Sequence, residues 1–92
     1  VRNIHLYEKG RRIEYQVKKR LQAQGFNVLR VAGSKGLYDL VAWNKDQVLF
    51  IQVKSTRQRR NERDLILQDL VPESVIKQVW IKKGMDFVVE IL

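Results

Sequence analysis

Two short strings near the middle of the chain carry polar residues at a spacing that chemistry can use. They are Tyr38-Asp39-Leu40-Val41-Ala42 and Ile51-Gln52-Val53-Lys54-Ser55. Between them Asn44-Lys45-Asp46-Gln47 is a turn cluster, so the two strings read as the arms of a hairpin. A turn centred on Lys45-Asp46 pairs Trp43 with Val48, Val41 with Phe50 and Asp39 with Gln52. Opposed side chains lie about 5 Å apart at Cβ, and the strand period of two puts Lys54 on the face of Gln52. Asp39, Gln52 and Lys54 are thus expected to converge at one end of an otherwise apolar hairpin. Asp is disfavoured in strands. A strand-end ion pair between Asp39 and Lys54 is the plain structural reading, and it stands beside a functional one.

The functional reading is a divalent-cation site. Mg²⁺ takes hard oxygen ligands, keeps several waters, and uses one or two carboxylates together with substrate phosphate. Asp39 offers a carboxylate, Gln52 a side-chain carbonyl and Val53 a backbone carbonyl. Lys54 would stand beside the ion, able to orient an attacking water or to stabilise charge on a phosphate in transition. A second carboxylate comes from the N-terminal segment. Ile13, Val17 and Leu21 recur every four residues and line one helix face, and at about 100° per residue Glu14 falls on the edge of that stripe. A carboxylate there needs a partner, because burying an unpaired charge is costly. The partner is either a nearby Lys or Arg or the same cation.

The elements that must position these groups follow from pattern. Residues 7–24 read as a helix, stopped by Gly25. Residues 26–31, 38–43 and 48–54 read as strands. Helical character is expected near 61–70, with Ser55-Thr56 as a candidate cap and Pro72 as the stop. Residues 79–82 and 86–92 form a last hairpin about Lys83-Gly84-Met85. The order is α-β-β-β-α-β-β, an α/β fold in one domain, as expected for 92 residues.

Charge supplies the second half of the functional reading. The chain carries 18 Lys and Arg against 10 Asp and Glu, a net +8. Residues 1–63 hold 15 basic and 5 acidic side chains, a net +10, and residues 64–92 a net −2. The excess is clustered at Lys9-Gly10-Arg11-Arg12, Lys18-Lys19-Arg20 and Arg57-Gln58-Arg59-Arg60 with Arg63. Such clusters bind polyanions by counterion release, without sequence choice; solvated surface charge is the plainer reading of any one of them. Hydrolysis of a phosphodiester backbone needs both a metal site and such a basic rim. No apolar run approaches the length of a transmembrane helix, the first residues carry no signal-peptide core, and the lack of Cys suits a cytoplasmic location, host cytoplasm for a viral chain. His5 is the one histidine and there is no Cys, which excludes zinc sites of the usual kind; His5 reads as an exposed N-terminal residue.

The two strings, on their hairpin and after a helix bearing a Glu, resemble the signature of the PD-(D/E)XK nuclease superfamily. Lys9-Gly10 followed by Glu14, Gly25-Phe26 entering the first strand, and Gly33-Ser34-Lys35 before the Asp are similar to the archaeal and phage Holliday junction resolvases. The resemblance covers about residues 9–56. It implies a restriction-endonuclease-like core, with the N-terminal helix packed on a mixed sheet of about five strands. It also implies hydrolysis of DNA phosphodiester bonds with Mg²⁺ or Mn²⁺, action on branched DNA, and a homodimer. By this resemblance Glu14, Asp39, Gln52 and Lys54 are the catalytic set, and Asp39, Gln52, Val53 and Glu14 hold the metal. Arg11, Arg12, Ser34, Lys35, Arg57, Arg59 and Arg60 line the nucleic acid. The chain departs from the signature at Tyr38, where the motif has Pro, and at Gln52, where an amide replaces the acid. Gln52 keeps a second reading open: a catalytically weak or inactive nucleic-acid-binding module of the same fold. A purely structural basic subunit is the third. Trp43 and Trp80 are expected in core or dimer packing. The apolar runs 79–81 and 87–89 exceed what a small monomer needs, and so motivate the dimer.

Overall fold

The computed structural model describes residues 4–31 and 36–92, excepting the side chains of residues 4–7. Ser34 and Lys35, with Gly33, lie outside the described residues, as does the side chain of His5. The first helix, α1, runs Ile4–Ala23, three residues further toward the N-terminus than the periodicity predicts. It buries Ile13, Val17 and Leu21 to 5% exposure or less. Its end is a Schellman motif: the Gly25 N–H donates to the Gln22 carbonyl and the Phe26 N–H to the Leu21 carbonyl. Gly25 takes φ +94°, which a side chain would resist.

Five strands follow in one sheet, in spatial order β1(Asn27–Arg30), β2(Leu40–Trp43), β3(Val48–Lys54), β4(Val75–Lys83), β5(Asp86–Ile91). All neighbours are antiparallel except β3 and β4, which run parallel. A parallel pair needs a crossover, and α2(Arg60–Gln68) lies in that connection. The α-β-β-β-α-β-β order and the mixed five-strand sheet are those read from the sequence. The hairpin register is also as expected, with Trp43 opposite Val48 and Val41 opposite Phe50.

β3 is the central strand, and its alternation divides the core. Leu49 and Ile51 join Val17, Leu21, Val28, Leu40, Ala42 and Trp80 beneath α1. On the other face Ile66 of α2 packs with Val79 and Ile81, and with Leu37, Tyr38 and Leu92 around them. Gln52 and Lys54 belong to this second face.

Two boundaries differ from expectation. β4 begins at Val75 rather than Val79, because it pairs with β3 along its whole length, from Val48–Val75 to Lys54–Ile81. Lys77 and Gln78 mask this stretch in the sequence, yet both are satisfied locally. The Lys77 ammonium donates to the carbonyls of Ile66 and Asp69 at the end of α2, and Gln78 accepts from the Trp80 indole. Ser55-Thr56 do not cap α2; the helix starts at Arg60, and Glu62 instead accepts from the Arg59 N–H. Among the described residues no helix is long and apolar enough to cross a membrane.

Candidate active site

The hairpin register holds up to Leu40–Ile51 and then slips. The Asp39 N–H donates to the Ile51 carbonyl, one residue short of the Gln52 pairing that the register predicts. On the other side the Asp39 carbonyl accepts from the Val31 N–H, continuing the pairing with β1. The one-residue offset on the β3 side is that of a β-bulge, a device that re-aims a side chain. Its effect is to turn the Asp39 carboxylate onto the backbone of β3, where Oδ2 accepts from the Val53 N–H at 2.8 Å. Asp39 and Gln52 therefore do not face each other as an opposed pair. Nor is the strand-end Asp39–Lys54 ion pair formed among the described residues: Lys54 binds elsewhere.

Asp39 is mostly buried, and burial pushes its carboxyl above the usual range. The Val53 amide pulls it down, the negative charge of Glu14 pushes it up, and Lys54 and Arg30 act downward. Glu14 reaches this neighbourhood from α1 while making its own pair, Oε1 accepting from Arg30 Nε at 2.9 Å. Arg30, at the end of β1, is a site neighbour that sequence reasoning missed. It sits on the neighbouring strand, paired with Leu40 beside Asp39, and the packing of α1 on β1 brings it to Glu14.

Gln52 and Lys54 are engaged from the other side of the sheet. Gln52 is 8% exposed; its amide donates to the Leu37 carbonyl at 3.3 Å, and its oxygen accepts from Gln58 at 2.6 Å. The Lys54 ammonium donates to Glu62 at 2.8 Å. Gln58 and Glu62 are further neighbours that the sequence did not single out. The signal present was Glu62 at the third position of a helix, where a side chain reaches back to the cap N–H. Lys54 and Glu14 meet across a cleft of about 170 Å³, with Gly10, Val53, Ser55 and Thr56 on its walls. A second cleft, about 210 Å³, holds Glu14 with Arg11, Tyr15, Lys18, Arg30 and Leu40.

The donor set suits a small hard cation. Asp39 is a desolvated carboxylate made less comfortable by the charge of Glu14, and a divalent ion relieves both costs. No group of three acidic, His or Cys side chains is assembled among the described residues. Two carboxylates are enough for Mg²⁺ when water and phosphate complete its shell. The Gln52 oxygen already serves Gln58.

The basic residues fall in two groups. Arg11 and Arg12 are exposed on α1. Arg57, Arg59 and Arg60 gather with Gln58 and Arg63 around a cleft of about 480 Å³ at the start of α2. Tyr38, in place of the motif Pro, packs against Phe50 with ring centroids 5.2 Å apart and ring planes tilted by 60°, and it donates to Asp69. It thereby ties the strand leading to Asp39 to the far end of α2.

Comparison with known proteins places this geometry. The family model for archaeal Holliday junction resolvase (Hjc) matches residues 5–67. The crossover junction endodeoxyribonuclease Hjc of Methanocaldococcus jannaschii is 39% identical over 64 residues, covering 66% of this chain and 47% of that protein. The chain thus spans about half the length of this curated relative. The structure of Hjc from Archaeoglobus fulgidus, a Holliday junction resolvase, superposes with a TM-score of 0.70 at 25% identity, covering 91% of this chain and 71% of the other. The matched span contains the helix Glu, the bulged Asp and the end of β3 that the two strings supply, and the chain belongs to the archaeal Holliday junction resolvase (Hjc) family, within the PD-(D/E)XK nucleases.

Proposed function

We propose that the chain is the core of a Mg²⁺-dependent endodeoxyribonuclease that cuts branched DNA, with a four-way junction as substrate. The observation that carries this is the Asp39 carboxylate, half-buried at a bulge and anchored on the Val53 amide, its carboxyl raised first by burial and then by the charge of Glu14. Asp39 and Glu14 hold the cation, with Gln52 and the Val53 carbonyl as neutral donors. When bound, the cation supplies Lewis-acid charge that polarises phosphate and water. Lys54 orients the attacking water or meets charge on the phosphate. Arg11 and Arg12 on one side, and Arg57, Arg59 and Arg60 on the other, hold the backbone, with Ser34 and Lys35. Incubating four-way junctions and linear duplex with Mg²⁺ tests the reading. Absence of cleavage by the parent, or cleavage unchanged in Asp39→Ala and Lys54→Ala, sinks it.

The engagement of Gln52 favours one second reading, a binding module with weak or no catalysis. It predicts salt-dependent junction binding without Mg²⁺-stimulated hydrolysis. Gln52→Glu separates the two. A carboxylate there meets the Leu37 carbonyl that the amide now donates to, and a buried unpaired acceptor costs about 1–3 kcal/mol. The variant is expected to melt earlier than the parent without metal and to recover more on adding Mg²⁺, because ligand binding adds stability in proportion to affinity. A matched rise in cleavage marks a weakened site; recovery without cleavage marks a module that only binds.

Basic contacts are read from salt dependence. Each phosphate contact contributes about 0.9 to the slope of log affinity against log salt. The triple change Arg57→Ala, Arg59→Ala, Arg60→Ala is expected to flatten that slope by up to about 2.7 units, and an unchanged slope removes this cluster from the interface. A homodimer is the assembly that the free edge of the sheet supports. β5 ends the sheet and exposes Val88, Val89 and Ile91, and sedimentation equilibrium distinguishes monomer from dimer.

A further inference from the structure

The two polar β3 side chains on the α2 face are both gripped by the segment that enters α2. Gln58 holds Gln52, as described, and Glu62 holds Lys54. The two oxygens of Glu62 do different things. Oε1 accepts from the Arg59 N–H at 3.0 Å, which satisfies an orphan donor at the helix start. Oε2 accepts from the Lys54 ammonium at 2.8 Å. A helix cap needs only the first of these bonds. The second reaches out of the helix to the last residue of β3.

Lysine is a flexible stem bearing a point charge, and left alone it samples many rotamers. A group that must meet a phosphate or a water in one place gains from being held before the substrate arrives. Glu62 is suited to that, because its carboxylate is itself fixed to the helix backbone. The pair is sheltered, its two side chains being 26% and 27% exposed, unlike the more open Arg63–Glu90 pair nearby at 43% and 40%.

We propose that Glu62 is a positioning residue of the candidate active site, acting through Lys54 by fixing its ammonium on the scaffold of α2. The proposal rests on the reading of Lys54 as a catalytic group, and its test keeps the two apart. The variants are Glu62→Gln, which keeps one acceptor oxygen, Glu62→Ala, Lys54→Ala, and the double variant Glu62→Gln with Lys54→Ala. Three quantities are measured on the full chain. They are the single-turnover cleavage rate at saturating Mg²⁺ and four-way junction, the junction Kd, and the order of the Lys54 ammonium by nitrogen-15 NMR relaxation without metal.

The rate is expected to fall about 10-fold in Glu62→Gln and up to about 100-fold in Glu62→Ala, the scale of a misplaced reacting group. Kd is expected to stay within about twofold, since a lost anion costs no phosphate contact. The ammonium becomes more mobile in both Glu62 variants. In the Lys54→Ala background, Glu62→Gln adds no further loss, which a merely structural carboxylate would still impose. Should Glu62→Ala fail to fold, Glu62→Gln decides. Parent-like rates with an unchanged Lys54 ammonium overturn the proposal, as does a faster Glu62 variant. If Lys54→Ala itself cuts at the parent rate, the catalytic reading of Lys54 fails and the role of Glu62 fails with it.

Discussion

Replacing Asp39 with Asn is expected to abolish most junction cleavage while making the metal-free protein more stable at neutral pH. The two effects share one cause. The Asp39 carboxyl is raised above its usual range by burial first and by the charge of Glu14 as well, with the Val53 amide, Lys54 and Arg30 acting in the opposite direction. A raised folded value means that the folded chain binds this proton more tightly than the unfolded one. The group's contribution to stability is therefore fully present below the ordinary carboxylate range and is lost as pH rises through the folded value. At neutral pH the ionised Asp39 opposes folding. Asn removes that charge and still offers an oxygen to the Val53 N–H. The melting midpoint of Asp39→Asn is expected to exceed that of the parent at pH 7 and to converge with it in acid.

Mg²⁺ should reverse the order. A ligand at 100 times its Kd adds about 2.7 kcal/mol to the state that binds it, and only the parent keeps the carboxylate that makes this site attractive. Loss of a partner that merely orients a metal ligand costs about 10- to 100-fold in affinity or activity. Loss of the carboxylate itself is expected to exceed about 100-fold in cleavage. Thermal melts with and without Mg²⁺, run beside the cleavage assay, read both quantities. A variant that melts below the parent at pH 7 in the absence of metal, or that still gains stability from Mg²⁺, contradicts this account of Asp39.

The polar residues of the hairpin stood out in the sequence, and their bonding partners did not. The turn at Asn44–Gln47 set the register of β2 and β3, and that register is the one observed up to Leu40–Ile51. The bulge at Asp39 breaks it, and a bulge is an event of the backbone that leaves no period in the side chains. Glu14 stood out as a carboxylate at the edge of an apolar stripe, and an arginine is indeed its ion-pair partner. Which arginine it was depended on β1 lying beneath α1. Glu62 was hidden for a similar reason: its bond to Lys54 crosses a loop, with no helical or strand spacing to suggest it. The early start of β4 was hidden by Lys77, a charge whose ammonium completes the end of α2 rather than facing water. Polar residues were misread where their function is to close another element's backbone.

Removing the Lys54 side chain is expected to separate rate from affinity more sharply than any other change. Lys54 ends β3, and its backbone is pinned by the parallel ladder to Ile81. Lys54 lines the cleft that also holds Glu14. Groups that move a proton or meet developing charge contribute about 10²- to 10⁴-fold, so Lys54→Ala is expected to slow cleavage within that range at saturating Mg²⁺ and junction. Binding should scarcely change, because one lost contact alters the salt slope by at most about 0.9 while the clusters at Arg11-Arg12 and Arg57–Arg60 remain. Stability should scarcely change either. A partly exposed pair such as Lys54–Glu62 is worth about 0–1 kcal/mol, so a slow Lys54→Ala protein will still be a folded one. Lys54→Arg is the stricter case: it keeps the charge and the bond to Glu62, but a planar guanidinium cannot occupy the place of a compact ammonium. It is expected to bind like the parent and cut little faster than Lys54→Ala. Recovery of the parent rate by Arg would mean that position 54 supplies only charge to the DNA, and the reacting phosphate would then have to be sought away from the end of β3.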